Sequence, residues 1–310
     1  GPSAPFSPTD FPATIRLGKM LHCGQLANCC QGLGLWRRAA ARRVQEAKLP
    51  ELTLRAKGRT TTLVSLEHLN VNVPSWTPDN EAFWFEGLGF VQDPRPAQIC
   101  ATVRAGGGRM NGLMWANAGI QQVHMPLGED PPYASQSPAG VMGVAYADLQ
   151  QLRASLKLAK VACRELPQDE RSSLQAVGLG PAELELTSPT GVRLWAHQVT
   201  DKVGGWISPH GWIKASDATS QGVGLPSECA SVCLGIPYIR LLCPAGSAAG
   251  VQRFYRSIFG TEAELRASST MECWVPIGAS QYLIYEEASP GQDVPYDGYH
   301  VAIYINSFIE

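Results

Sequence analysis

From Leu63 onward, apolar and polar residues alternate in an order that repeats along the chain. Leu66-Glu67-His68-Leu69-Asn70-Val71-Asn72-Val73 has the period of two of a half-buried strand, and Pro74 ends it. Residues 79–85 then read as a capped helix with an aromatic face, closed by Gly87 and Gly89. Strands follow near 90–92, 113–117 and 121–125, so the unit is strand, helix, three strands. The unit recurs with a strand at 141–147, a helix at 148–158, and strands at 183–187 and 192–197 around the turn Ser188-Pro189-Thr190-Gly191. A third copy has a strand at 238–243, a helix at 248–259 and strands at 273–276 and 281–286. Its Phe254-Tyr255-Arg256-Ser257-Ile258-Phe259-Gly260 parallels Phe83-Trp84-Phe85-Glu86-Gly87-Leu88-Gly89 of the first. A fourth copy opens at Tyr299-His300-Val301-Ala302-Ile303-Tyr304-Ile305 and is incomplete at Glu310.

This pattern predicts an α+β protein of paired βαβββ modules in open curved mixed sheets. Its 310 residues suit two domains at about 150 residues each. The expected division is an arm at 1–60, modules one and two at 61–200, a Gly/Pro/Ser-rich linker at 201–235, and module three with the start of module four at 236–310. Charge adds exclusions. With 25 basic against 27 acidic residues, no basic face for nucleic acid is expected. A 45% apolar content argues against disorder, and no stretch reaches the ~20 apolar residues of a membrane span.

Residues 1–50 depart from this balance, with seven basic residues against Asp10 and Glu46. The stretch 33–49 reads as a short basic amphipathic helix, the kind of segment found in transit peptides to a plastid or mitochondrion. Otherwise a cytoplasmic location is expected, and the arm is one surface through which partner protein chains would bind. Nine scattered cysteines point to a reducing compartment rather than a disulfide framework. Cys100, Cys163 and Cys243 lie among apolar neighbours and are expected in the core. Cys23, Cys29 and Cys30 lack the paired spacing of a zinc site.

The repeat resembles the vicinal oxygen chelate superfamily, which includes glyoxalase I, bleomycin- and fosfomycin-resistance proteins and extradiol dioxygenases. More narrowly it resembles an uncharacterised two-domain glyoxalase-like family. The residues that carry this are 66–74, Leu113-Met114-Trp115-Ala116-Asn117-Ala118-Gly119 with Gln121-Gln122-Val123-His124-Met125-Pro126, the strand–turn–strand ending at His197, and Tyr296-Asp297-Gly298 with 299–304. The resemblance implies that two modules pair into a cup holding a single divalent metal (Zn, Fe, Ni or Mn) on the first and last strands of each. Module one keeps His68 and His124 at those places, and module four offers His300. Module two has Val141 or Gly143 and Trp195 there, and module three has Tyr238 and Leu283 or Ile284, none of which the resemblance would make a ligand. If modules one and four face each other, His68, His124 and His300 converge, and a carboxylate on the last strand of module four would complete the set.

Other groups have plainer readings. His22, His197 and His210 match no ligand place and are expected to be structural or at the surface. Gly106-Gly107-Gly108-Arg109 reads as a loop, Glu183/Glu185 and Glu286/Glu287 equally as acid–base carboxylates or as a strand edge or solvated face, and Trp76, Trp84, Trp115 and Trp195 as core. Trp195 has a further reading as an indole that plugs a cup without metal. Two functions follow. The one placed ahead is a divergent, catalytically inactive module used for binding or as a structural subunit of a larger assembly. The alternative is a metal-dependent lyase, isomerase or dioxygenase on a small oxygen-rich substrate, with the metal on His68, His124 and His300.

Overall fold

The computed structural model describes residues 62–106, 112–128, 135–167, 179–199, 232–278 and 281–305. The N-terminal arm with its basic helix, nearly all of the expected linker, His22, His210 and the cysteines at 23, 29 and 30 lie outside these residues.

Module one runs β1 (Leu63–Asn70), α1 (Pro78–Glu81, continued by a π-helical turn over Ala82–Gly87), β2 (Val91–Gln92), α2 (Arg95–Ala105), β3 (Leu113–Ala118) and β4 (Gln121–Pro126). Module two is β5 (Gly140–Tyr146), α3 (Leu149–Leu158), β6 (Cys163–Glu165), β7 (Leu179–Thr187) and β8 (Arg193–Val199). Module three is β9 (Tyr238–Cys243), α4 (Ala248–Phe259), β10 (Glu264–Ala267), β11 (Met271–Ile277) and β12 (Gln281–Glu287), and β13 (His300–Ile305) opens module four.

Every complete module has the same sheet order, second-third-fourth-first, with its first strand parallel to its last. A parallel neighbour requires a crossover, which the helix after each first strand supplies. Modules then join first strand to first strand, antiparallel: β1 of module one pairs with β13 of module four, and β5 of module two with β9 of module three. The result is two open mixed sheets, β13-β1-β4-β3-β2 and β10-β11-β12-β9-β5-β8-β7-β6.

Local sequence explains the helices. Asp148 caps α3 by accepting from the backbone N–H groups of Gln150 and Gln151, and Leu149, Leu152 and Leu156 form its buried stripe. In α4 the stripe is Ala248, Val251, Tyr255 and Phe259, and Gly260 closes the helix in the left-handed region at φ 57°. Gly87 is needed for a different reason: a Cβ there would stand 3.0 Å from Val161 and 3.3 Å from Leu156, so its bareness lets the helices of modules one and two meet. Among the described residues no helix is long and apolar enough to cross a membrane.

Three features depart from the sequence reading. Helix α2 occupies a stretch whose weak apolar periodicity gave no signal, with Pro94 and Pro96 at its start. Strands β6 and β10 are short edge strands. Cys163 is exposed rather than in the core, because all three residues of β6 lie at the sheet edge; Cys100 and Cys243 are buried as expected.

Gln136 ties module one to the approach of β13. It exchanges backbone and side-chain hydrogen bonds with Asn72 (2.9 and 2.7 Å) and donates its amide to the Asp297 carbonyl at 2.9 Å. Only 3% exposed, it leaves buried partners unsatisfied if removed. Gln136→Ala is expected to lower stability by about 1–3 kcal/mol, read as a lower urea midpoint at unchanged slope.

Candidate metal centre

The sheet of modules one and four presents a polar face. Along β1 and the three residues after it, the apolar Leu69, Val71 and Val73 point into the core, while His68, Asn70 and Asn72 take the opposite side. The register aligns Asn70 with both His124 on β4 and His300 on β13, and His68 with Gln122 and Ala302. On β3, Trp115 stands opposite His124 and Asn117 opposite Gln122. Thus the three expected histidines share one face of one sheet, which joins modules one and four.

Their rings are close. His68 stacks on His124 with centroids 3.7 Å apart and an interplanar angle of 20°, and meets His300 edge-on at 5.7 Å. Trp115 stacks on the other side of His124 at 4.2 Å, and the Arg95 guanidinium covers Trp115 at 4.8 Å.

A residue that the sequence reading did not single out joins them. Glu67, His68 and His124 each offer a ligand atom, all within 4.8 Å of one another, a distance group that does not include His300. Neighbours in a regular strand point to opposite faces. Here the register slips between Leu66 and His68, so Glu67 is the extra residue of a β-bulge, and its carboxylate reaches His68 Nδ1. The period-two pattern of β1 hid this, because a bulge leaves no mark in hydrophobic alternation.

Electrostatics keep His124 an electron-pair donor. Burial first, then repulsion from His68, Arg95 and His300, push its pKa down to about 2, so the ring is neutral. Asp93 beneath it is only 3% exposed. Burial would raise its pKa, but hydrogen bonds and charge from Arg95, with the Asn117 amide, hold it below the ordinary value.

Among the described residues, the eight-stranded sheet of modules two and three presents no such group of ligand atoms. Gly143 stands opposite Trp195, and the Tyr238 ring lies over it. His197 is fully buried with both nitrogens engaged: Nδ1 donates to the Gly180 carbonyl at 2.8 Å and Nε2 accepts from the Tyr238 hydroxyl at 2.9 Å. Nearby, Arg240 is paired with Glu272 and with Glu286, and the Trp274 indole donates to Glu272 at 2.6 Å. Expected as a structural histidine, His197 is one. Trp84 is core, whereas Trp115 belongs to the polar face.

No family model matches the chain, and no curated protein matches it. Among solved structures, glyoxalase I from Zea mays is similar over 76% of this chain and 70% of its own, at 10% identity and a TM-score of 0.42. An integron cassette protein from V. cholerae is similar over 44% of this chain and 95% of its own, at 15% identity and a TM-score of 0.31. Lactoylglutathione lyase from Agrobacterium tumefaciens is similar over 43% of this chain and 92% of its own, at 9% identity and a TM-score of 0.28. By its own repeated module order and its first-strand joints, the chain has the glyoxalase-like fold of paired βαβββ modules that its sequence led one to expect.

Proposed function

We propose that the chain binds one divalent metal on the polar face of modules one and four, through His68, His124 and Glu67 with His300 at their edge, and acts there on a small oxygen-rich substrate. The observation that carries this reading is the convergence of two imidazoles and one carboxylate from two neighbouring strands within 4.8 Å. Neutral imidazole and carboxylate suit Zn, Fe, Ni or Mn. Such an ion, when bound, supplies Lewis-acid polarisation of substrate oxygens. The chain's own groups hold and orient. Asn70 and Asn72 place amides on the same face, and Arg95 adds positive charge beside Trp115. Because an imidazole lone pair lies in its ring plane, the near-parallel His68 and His124 rings must unstack to meet one ion.

Calorimetric titration of the metal-free chain with Zn²⁺ and Ni²⁺ tests this. One ion per chain is expected, with affinity reduced on the order of 100-fold by His124→Ala or His68→Ala. Absence of stoichiometric binding by either ion sinks the reading. A non-catalytic binding module or assembly subunit would then lead, a reading favoured by the self-filled face of modules two and three. In that role the basic N-terminal arm and module four are the surfaces offered to partner chains.

A further inference from the structure

We infer that Asp93 is a positioning residue that decides which nitrogen of His124 carries the proton. The consequence for metal rests on the function proposed above; the positioning itself does not.

Arg95 grips the Asp93 carboxylate through Nε at 2.9 and 3.0 Å and Nη2 at 2.6 Å, so Asp93 is an ionised, acceptor-only group. Two side-chain amides contact it, Asn117 at 3.3 Å and Gln122 at 2.9 Å, and both must present their NH₂. The other hydrogen of Gln122 goes to the Asn117 oxygen at 2.6 Å. Gln122 therefore turns its carbonyl oxygen to His124 Nε2, 2.9 Å away. A carbonyl only accepts, so Nε2 carries the proton and Nδ1 keeps the lone pair. Asp93 also works through a second arm. Arg95 lies over Trp115, and Trp115 stacks on His124 at an interplanar angle of 10°, which fixes the ring plane. One buried carboxylate thus sets both the orientation and the tautomer of a ring it does not need to touch. Strand register builds the arrangement, since Trp115 and Asn117 stand opposite His124 and Gln122.

The test is a long-range ¹H–¹⁵N correlation spectrum of the histidine rings in the full metal-free chain near neutral pH, with His124 assigned by its absence from His124→Gln. Wild type is expected to show His124 protonated at Nε2 alone. Asp93→Asn removes the acceptor-only anchor and lets Gln122 turn over, so the Nδ1–H form rises to roughly a tenth of the population or more. Zn²⁺ affinity then falls only in proportion to the fraction of His124 rings left with a free Nδ1 lone pair. The double variant Asp93→Asn/Gln122→Glu moves the carboxylate one step along the chain of bonds, directly against Nε2, and is expected to restore the pure Nε2–H form. Should Asp93→Asn fail to fold, Gln122→Met removes the acceptor while leaving the Asp93–Arg95 pair, with the same expected rise. Protonation of His124 at Nδ1 in wild type, or a folded Asp93→Asn with unchanged tautomer, overturns the inference. Expected tautomers without any metal binding uphold it and overturn the metal reading instead.

Discussion

Replacing Gly143 with alanine is expected to lower the unfolding free energy by about 2–6 kcal/mol, although the change adds a single methyl group. A Cβ at this position would lie 2.4 Å from Cε1 of Tyr238 and 2.7 Å from Cδ1 and Cζ, closer than any carbon contact allows. The obstacle is a rigid ring that is 1% exposed, not the end of a flexible side chain. Either the β5 backbone retreats or the ring swings. If it swings, the Tyr238 hydroxyl leaves His197, whose Nε2 then stays buried without its donor. Overpacking costs about 1–3 kcal/mol and the orphaned nitrogen about as much again. Urea unfolding of both proteins measures the difference. Tyr238→Phe, which removes only the hydroxyl, is expected to show just the second part. A loss below about 0.5 kcal/mol in Gly143→Ala would mean that the ring does not cover the glycine. The position matters because the resemblance puts a metal ligand of module two at Val141 or Gly143, and beside Gly143 the chain instead sets its own Tyr238 and Trp195.

The repeat was legible because each module's strands alternate and each helix carries an apolar stripe; Leu149, Leu152 and Leu156 are buried at the spacing that marks them as a helix face. The pairing of modules was not legible. An alternating strand states which face it buries, not which neighbour it takes, and β1 with β13 lies as far apart in sequence as the described residues permit. The joint is read only from the register of Asn70 against His300. Helix α2 was missed because it carries little apolar periodicity, and β6 because three exposed edge residues carry none.

At the candidate site, His68, His124 and His300 were accessible through the resemblance, and the structure sets all three on one face. Glu67 was inaccessible because its orientation comes from a bulge. Asp93, Asn117 and Gln122 were overlooked for a related reason: each is an ordinary polar residue within a strand or just after one, and only their mutual hydrogen bonds make them a unit. A hint was present in sequence, since three polar residues on strands that otherwise bury apolar side chains must satisfy one another.

Acid is expected to weaken the fold between pH 7 and 5, before the carboxylates take part. His197 and His124 are neutral in the folded chain. Burial lowers the pKa of His197 to about 4, against a smaller opposing effect of the Gly180 carbonyl, and burial with neighbouring positive charge lowers that of His124 to about 2. In the unfolded chain both return to about 6.5, so below that pH the unfolded state binds protons that the folded state refuses. Their contribution is whole above pH 6.5 and declines as pH falls, toward 4 for His197 and further for His124. At about 1.4 kcal/mol per pH unit for each ring, the two together remove roughly 4 kcal/mol by pH 5. Asp93 and Glu185 act in a lower window. Their folded pKa values lie below the ordinary carboxylate range, so the stability they add is lost only as pH falls below about 4. Urea midpoints at pH 7 and pH 5 separate these effects. Wild type should lose roughly 4 kcal/mol, and His197→Gln, which keeps a donor for Gly180 but no longer titrates, should lose about half as much between the same two pH values. A wild-type stability unchanged from pH 7 to 5 would mean that neither ring is held neutral, and with it would go the argument that His124 stands ready as a neutral electron-pair donor at the centre of modules one and four.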